Sequence, residues 1–140
     1  MRKLYLAAVV YVVAGLGAGL FSREFTKANA FPEGSFTQLG LVHTHLLALG
    51  MLVMLIVMAL EKTMKLSDDR RFAWFFWFYN AGVALTAAMM IWHGVLTVLG
   101  QASSPAISGI AGLGHIAVTV GLVLFFLVLG RAVRRDQQAQ

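Results

Sequence analysis

The stretch LVHTHLLALG, Leu41 to Gly50, sets His43 and His45 one residue apart in a run that is otherwise almost wholly apolar. IWHGVLTVLG and GLGHIAVTVG place His93 and His115 in similar surroundings. An imidazole in such a setting is either a functional group, a metal ligand above all, or a partner in an interhelical hydrogen bond. Residues two apart on an α-helix point about 200° apart, so His43 and His45 serve opposite faces and do not readily share one ion. The His43 side also presents Gly40, Leu47, Gly50 and Met54, and the His45 side Leu41, Ala48, Leu49 and Leu52. A compact zinc site asks for several ligands converging at about 2 Å, commonly with a carboxylate or a pair four residues apart. No Asp or Glu lies within the apolar runs. Haem asks for less, since one imidazole on each side of a flat apolar ring suffices.

The elements that must position these side chains are membrane spans. The 140 residues are 59% apolar and 12% charged, against about 25% charged in soluble proteins. Four apolar runs, 4–22, 39–60, 72–99 and 107–130, each supply the ~20 residues that carry a helix across a bilayer core. They leave no room for a separate soluble domain. The expected fold is therefore a single all-α unit over 1–140, an integral membrane four-helix bundle with short tails.

Charge placement orients it. Arg2 and Lys3 precede the first run, Lys62, Lys65, Arg70 and Arg71 join the second to the third, and Arg131, Arg134 and Arg135 follow the fourth, leaving Arg23 and Lys27 on the other side. The positive-inside rule then puts both termini in the cytoplasm of a multi-pass protein of the inner (plasma) membrane. The net charge of +5 sits where membrane anchors sit, which excludes a nucleic-acid role needing one basic face with aromatic platforms. Absence of cysteine excludes disulfides, thiolate metal sites and c-type haem attachment. Ala28-Asn29-Ala30 imitates a signal-peptide cleavage site, but the preceding apolar run is too long and Arg23, Glu24 and Lys27 intervene, so the first helix is expected to be retained.

Within this frame Gly15 and Gly19 form a G-x-x-x-G face that permits close helix contact. Arg23 to Gln38, with Pro32 and Gly34, reads as the longest outer loop, a cap over that end of the bundle. Trp74, Trp77 and Tyr79 fit an interfacial aromatic belt. Ser103, Ser104 and Pro105 form the outer turn before the fourth helix, whose glycines admit either a neighbouring helix or a flat cofactor.

Depth then gathers the histidines. Counting 1.5 Å per residue from the outer ends, His43 and His45 lie ~6–9 Å below the surface and His93 and His115 ~10 Å below it. Ionisable groups inside spans usually face the protein interior and mark functional sites. Haem b is accordingly the leading cofactor, with His45 and His115 as ligands and His43 or His93 as a second position. Gly50, Gly94 and Gly112 could leave space for the porphyrin, and Arg23 and Lys27 are the only outer cations available to its propionates. Copper is the alternative, since Met51, Met54, Met58, Met89 and Met90 could add soft thioether ligands; zinc, or histidines that only hydrogen-bond between helices, complete the field.

The H-x-H helix, His43 to Gly50, resembles the corresponding helix of haem-copper oxidase subunit I and its nitric oxide reductase relatives, where two histidines on one helix serve two haems on opposite faces. IWHGVLTVLG and GLGHIAVTVG are loosely similar to other ligand helices of that family, and the chain resembles small four-helix membrane proteins related to that subunit. The resemblance implies a four-helix arc, three copies of which would rebuild a twelve-helix ring as a homotrimer, with a redox partner and a role in electron transfer or diatomic-gas binding. This chain departs from the family in having no adjacent His-His pair, no His-Tyr arrangement for a copper centre and no membrane carboxylate. Those departures argue against a complete proton-pumping oxidase.

Overall fold

A chain in hydrocarbon must satisfy its backbone hydrogen bonds internally, and helices do so within one segment. The computed structural model, which describes residues 1–102 and 104–138, turns the four runs into α1 (Arg2–Ala28), α2 (Leu39–Met64), α3 (Arg71–Val98) and α4 (Pro105–Gln138). All four are long and apolar enough to cross a membrane, and the chain is a multi-pass membrane protein. Ser103 of the expected outer turn lies outside the described residues.

The helices outrun their apolar runs. α1 continues to Ala28, so the segment expected to begin the outer loop at Arg23 is helical. Thr26 Oγ1 donates to the Ser22 carbonyl at 2.8 Å and Asn29 Nδ2 to the Phe25 carbonyl at 2.8 Å, supporting the last turns. α4 likewise runs past Gly130 to Gln138. Arg, Lys, Glu and Gln are good helix formers, so a drop in hydropathy marks the end of a span and not of a helix.

α2 is not uniform. It is α-helical over Leu39–His45, π-helical over Leu46–Leu52 and α-helical again over Val53–Met64. The wider turn begins directly after His45. Tyr79 of α3 donates its hydroxyl to the Leu49 carbonyl within it at 2.9 Å, and the Tyr11 ring of α1 fills the space over Gly50. Such π turns are rare and recur at functional sites.

Packing follows chain order. α1 lies on α2, α2 on α3, and α3 makes its most extensive contact with α4; α1 and α4 share no packed interface among the described residues. The Gly15/Gly19 face does meet a neighbour, Gly15 sitting under Leu47 and Gly19 under His43. The core runs through Leu4, Tyr11, Met54, Val57, Phe75, Tyr79 and Val83. A smaller cluster of Leu66, Val128 and Ala132 ties α4 to the α2–α3 connection. α2 and α4 therefore meet at the end carrying both termini and diverge toward the other end, straddled by α3.

Three glycines bring α3 and α4 together. A Cβ on Gly82 would stand 2.6 Å from the Val118 amide nitrogen, one on Gly121 2.9 Å from Tyr79 backbone atoms, and one on Gly114 3.0 Å from the Thr86 amide nitrogen. At the connection, Asp69 accepts from Arg71 and pairs with Arg131 at 3.4 Å, while Arg135 pairs with Asp68 at 3.5 Å. The Arg71 side-chain hydrogen bond, followed by its backbone N–H, holds the Asp69 carboxyl below the usual carboxylate range.

Two outcomes follow. Gly82→Ala is expected to lower stability in detergent by about 1–3 kcal/mol through overpacking, whereas Gly112→Ala, where a Cβ meets nothing within 4 Å, changes it by less than about 0.5 kcal/mol. A carboxyl depressed in the folded state stabilises above its unfolded pKa of about 3.9, and that stabilisation is lost as pH falls through the folded value. Asp69→Asn should thus melt below wild type at pH 7, with the gap closing as pH drops below about 4. A pH-independent gap in thermal scans would contradict the assignment.

Candidate functional site

The divergence of α2 from α4 leaves a cavity of about 500 Å³ whose lining includes His45 and Leu41 from α2, His93, Met89, Met90 and Thr86 from α3, and His115, Ala111 and Gly112 from α4. Phe36 and Gln38 of the preceding segment complete the lining. Three of the four histidines, one from each helix, therefore share one cavity. Its volume falls within the ~300–1,000 Å³ of typical small-molecule sites.

His43 is elsewhere. It faces α1, its Cβ 3.5 Å from the Cβ position of Gly19, with Nε2 3.3 Å from Thr44 Oγ1 and Nδ1 buried without a partner. The separation from His45 is what a two-residue step on a helix dictates. As a second ligand position within one chain, His43 gives way to His93.

Two cavity histidines are held in one tautomer. His45 Nδ1 lies 3.0 Å from the Leu41 carbonyl and His115 Nδ1 3.0 Å from the Ala111 carbonyl, each four residues back on its own helix. A carbonyl only accepts, so Nδ1 donates, and in the neutral ring Nε2 is left with the lone pair. Metal-ligating histidines are commonly oriented by this second-nitrogen bond. His93 differs, because its Nδ1 is buried with no partner. Besides Gln38 and the histidines, Thr86 is a further polar residue of the lining: it is 6% exposed, and its unpartnered Oγ1 lies against Gly114 of α4, 2.5 Å from where a Cβ there would stand. Nothing in the sequence sets Thr86 apart from its neighbours; it is found only by locating the cavity.

The expected supporting residues separate. Gly112 lines the cavity, with no atom in the way of its missing side chain. Gly50 does not, because it shares the face of His43 toward α1, where the Tyr11 ring covers it. Gly94 is taken up by α2, a Cβ there standing 2.6 Å from the Leu39 amide nitrogen. Arg23 and Lys27 are not brought to the cavity: Arg23 is exposed beside Glu24 at 3.7 Å, and Lys27 lines a different depression with Ser22, Thr26 and the Phe31–Ser35 segment. The propionate partners expected of them are absent from this lining because α1 sits on the far side of α2. Of the methionines, Met89 and Met90 line the cavity, while Met54 is in the core and Met51 and Met58 pack against it.

Among the described residues no three His, Cys, Asp or Glu side chains converge closely enough to hold one ion. The three imidazoles are spread around a space larger than an ion. The three side chains line one space without closing into a zinc-type tetrahedron.

The comparisons with known proteins bear on ancestry alone. Residues 1–132 match the family model described as protein of unknown function (DUF2871), and the chain belongs to that family. No curated protein and no solved structure matches it.

An unpartnered hydroxyl in a closed interior costs about 1–3 kcal/mol. Thr86→Val is therefore expected to leave the cofactor-free protein as stable as wild type or more so. A loss above about 1 kcal/mol in detergent unfolding would show that the hydroxyl is bonded within the protein and does not await a ligand.

Proposed function

We propose that this chain is a b-type haem-binding membrane protein, related to the haem-copper oxidase catalytic subunit and serving electron transfer or diatomic-gas binding without being a complete proton-pumping oxidase. The observation that carries the reading is the shared cavity of His45, His93 and His115, two of them with Nε2 free to ligate. His45 and His115 would hold the haem, with His93 in place of His43 as the second ligand position. Bound haem would supply one-electron exchange or an open coordination site for a diatomic molecule. The protein's part is to hold two imidazoles in one tautomer, to leave room at Gly112 and to surround the ring with Met89, Met90, Leu41 and Ile107. Gln38 lines the cavity and would be available to the haem's polar groups in place of Arg23 and Lys27.

The packing order α1, α2, α3, α4, with α1 and α4 apart, supports the arc implied by the resemblance. A homotrimer closing three arcs is the proposed assembly, with a redox partner docking from outside it. The basic residues around the termini support a cytoplasmic location for both ends and insertion in the inner (plasma) membrane.

Copper is the second reading, favoured by Met89 and Met90 lining the same cavity as the histidines, since thioether and imidazole together suit copper(I).

The test is an absorption spectrum, oxidised and reduced, with metal analysis, on protein purified from cells supplied with haem and copper. The expected result is a Soret band with near-stoichiometric iron, reduced at least tenfold in His45→Ala and His115→Ala and retained in His43→Ala. Absence of a Soret band despite available haem, or equal loss in His43→Ala, overturns the reading. Stoichiometric copper without iron selects the second.

A further inference from the structure

At the end of the molecule that carries both termini, the starts of α1 and α3 enclose a groove of about 380 Å³ that the haem reading does not use. Leu4, Phe76 and Trp77 give it an apolar side, and Arg2, Lys3 and Arg70 line it as exposed cations. Asp69 is the one carboxylate in this lining, and it is already engaged by Arg71 and Arg131. Among the described residues Arg2, Lys3 and Arg70 make no ion pair, whereas Arg71, Arg131 and Arg135 in the adjoining depression are each paired with Asp68 or Asp69. The groove thus joins three uncompensated positive charges to an aromatic wall.

We propose that this groove binds one anionic phospholipid of the surrounding bilayer, its phosphate held by Arg2, Lys3 and Arg70 and an acyl chain lying along Phe76 and Trp77. Trp77 is 63% exposed, and an indole with an apolar body and a polar N–H suits the headgroup boundary. A free phosphate would leave the apolar wall unused. A zwitterionic lipid would leave the cations uncompensated. A second copy docking through this same end is disfavoured by charge, since the end carries Arg2, Lys3, Lys62, Lys65, Arg70, Arg71, Arg131, Arg134 and Arg135 against Glu61, Asp68, Asp69 and Asp136. The inference stands independently of what fills the histidine cavity.

Native mass spectrometry tests it, on protein in a non-ionic detergent offered phosphatidylglycerol and phosphatidylcholine with identical chains at low salt. Phosphatidylglycerol should be retained at least tenfold better. Each basic residue near an anionic headgroup contributes about fivefold, so R2Q/K3Q/R70Q should weaken that retention by roughly a hundredfold, while K62Q/K65Q, at the same end but outside the groove, leaves it unchanged. A second measurement covers failure of the triple variant to fold: in W74F/W92F, brominated-chain phosphatidylglycerol should quench Trp77 fluorescence, and brominated phosphatidylcholine should not. Equal retention of the two lipids, an undiminished preference in the triple variant, displacement by glycerol phosphate alone, or no selective quenching each overturns the proposal.

Discussion

The close approach of α3 and α4 at Gly82, Gly114 and Gly121 is the constraint from which the rest of the architecture follows. Lipid tails are as apolar as leucine, so helices in a membrane associate through close packing and not through expulsion of water. With backbone nearly against backbone along this seam, α4 commits its small-residue face to α3. Its packing toward α2 among the described residues lies near the connection, where Leu66 and Asp69 hold it. The opposite ends of α2 and α4 are left apart, and the gap between them is where His45, His93 and His115 meet.

Inside that gap the polar groups divide into two kinds. His45 and His115 spend one nitrogen on their own helix and keep the other free, while His93 Nδ1 and Thr86 Oγ1 are buried with nothing to bond. Unsatisfied polar atoms are costly in a low-dielectric interior. Two of the three such atoms among the described residues belong to side chains lining this cavity, and the third, His43 Nδ1, lies against α1. The π-helical segment begins directly after His45, with Leu47 and Gly50 on the face of His43 toward α1.

Much of this was legible in the sequence. Hydropathy alone delimited four spans, rise per residue put four histidines at similar depth, and the two-residue step in HTH required His43 and His45 to part company. What hydropathy did not reveal was set by contacts distant in the chain. LLALGML carries no local sign of π geometry, which depends on Tyr79 and Tyr11 reaching it from α3 and α1. Gly50 and Gly94 looked like room for a cofactor and instead admit Tyr11 and Leu39, because one sequence cannot say which neighbour a small residue faces. In α4 Gly114 and Gly121 take the neighbouring helix, while Gly112 is open at the cavity. Arg23 and Lys27 were grouped with the site by side of the membrane, and packing order, which sequence did not give, separates them from it.

The central claim is that three helices gather imidazoles around a prosthetic group at one level of the membrane. An experimental density map of the protein purified from haem-supplied cells tests it most directly. The account predicts flat density between α2, α3 and α4, flanked by the Nε2 atoms of His45 and His115. A cavity filled by lipid tails, or histidine rings turned away from it and bonded only to protein, would contradict it.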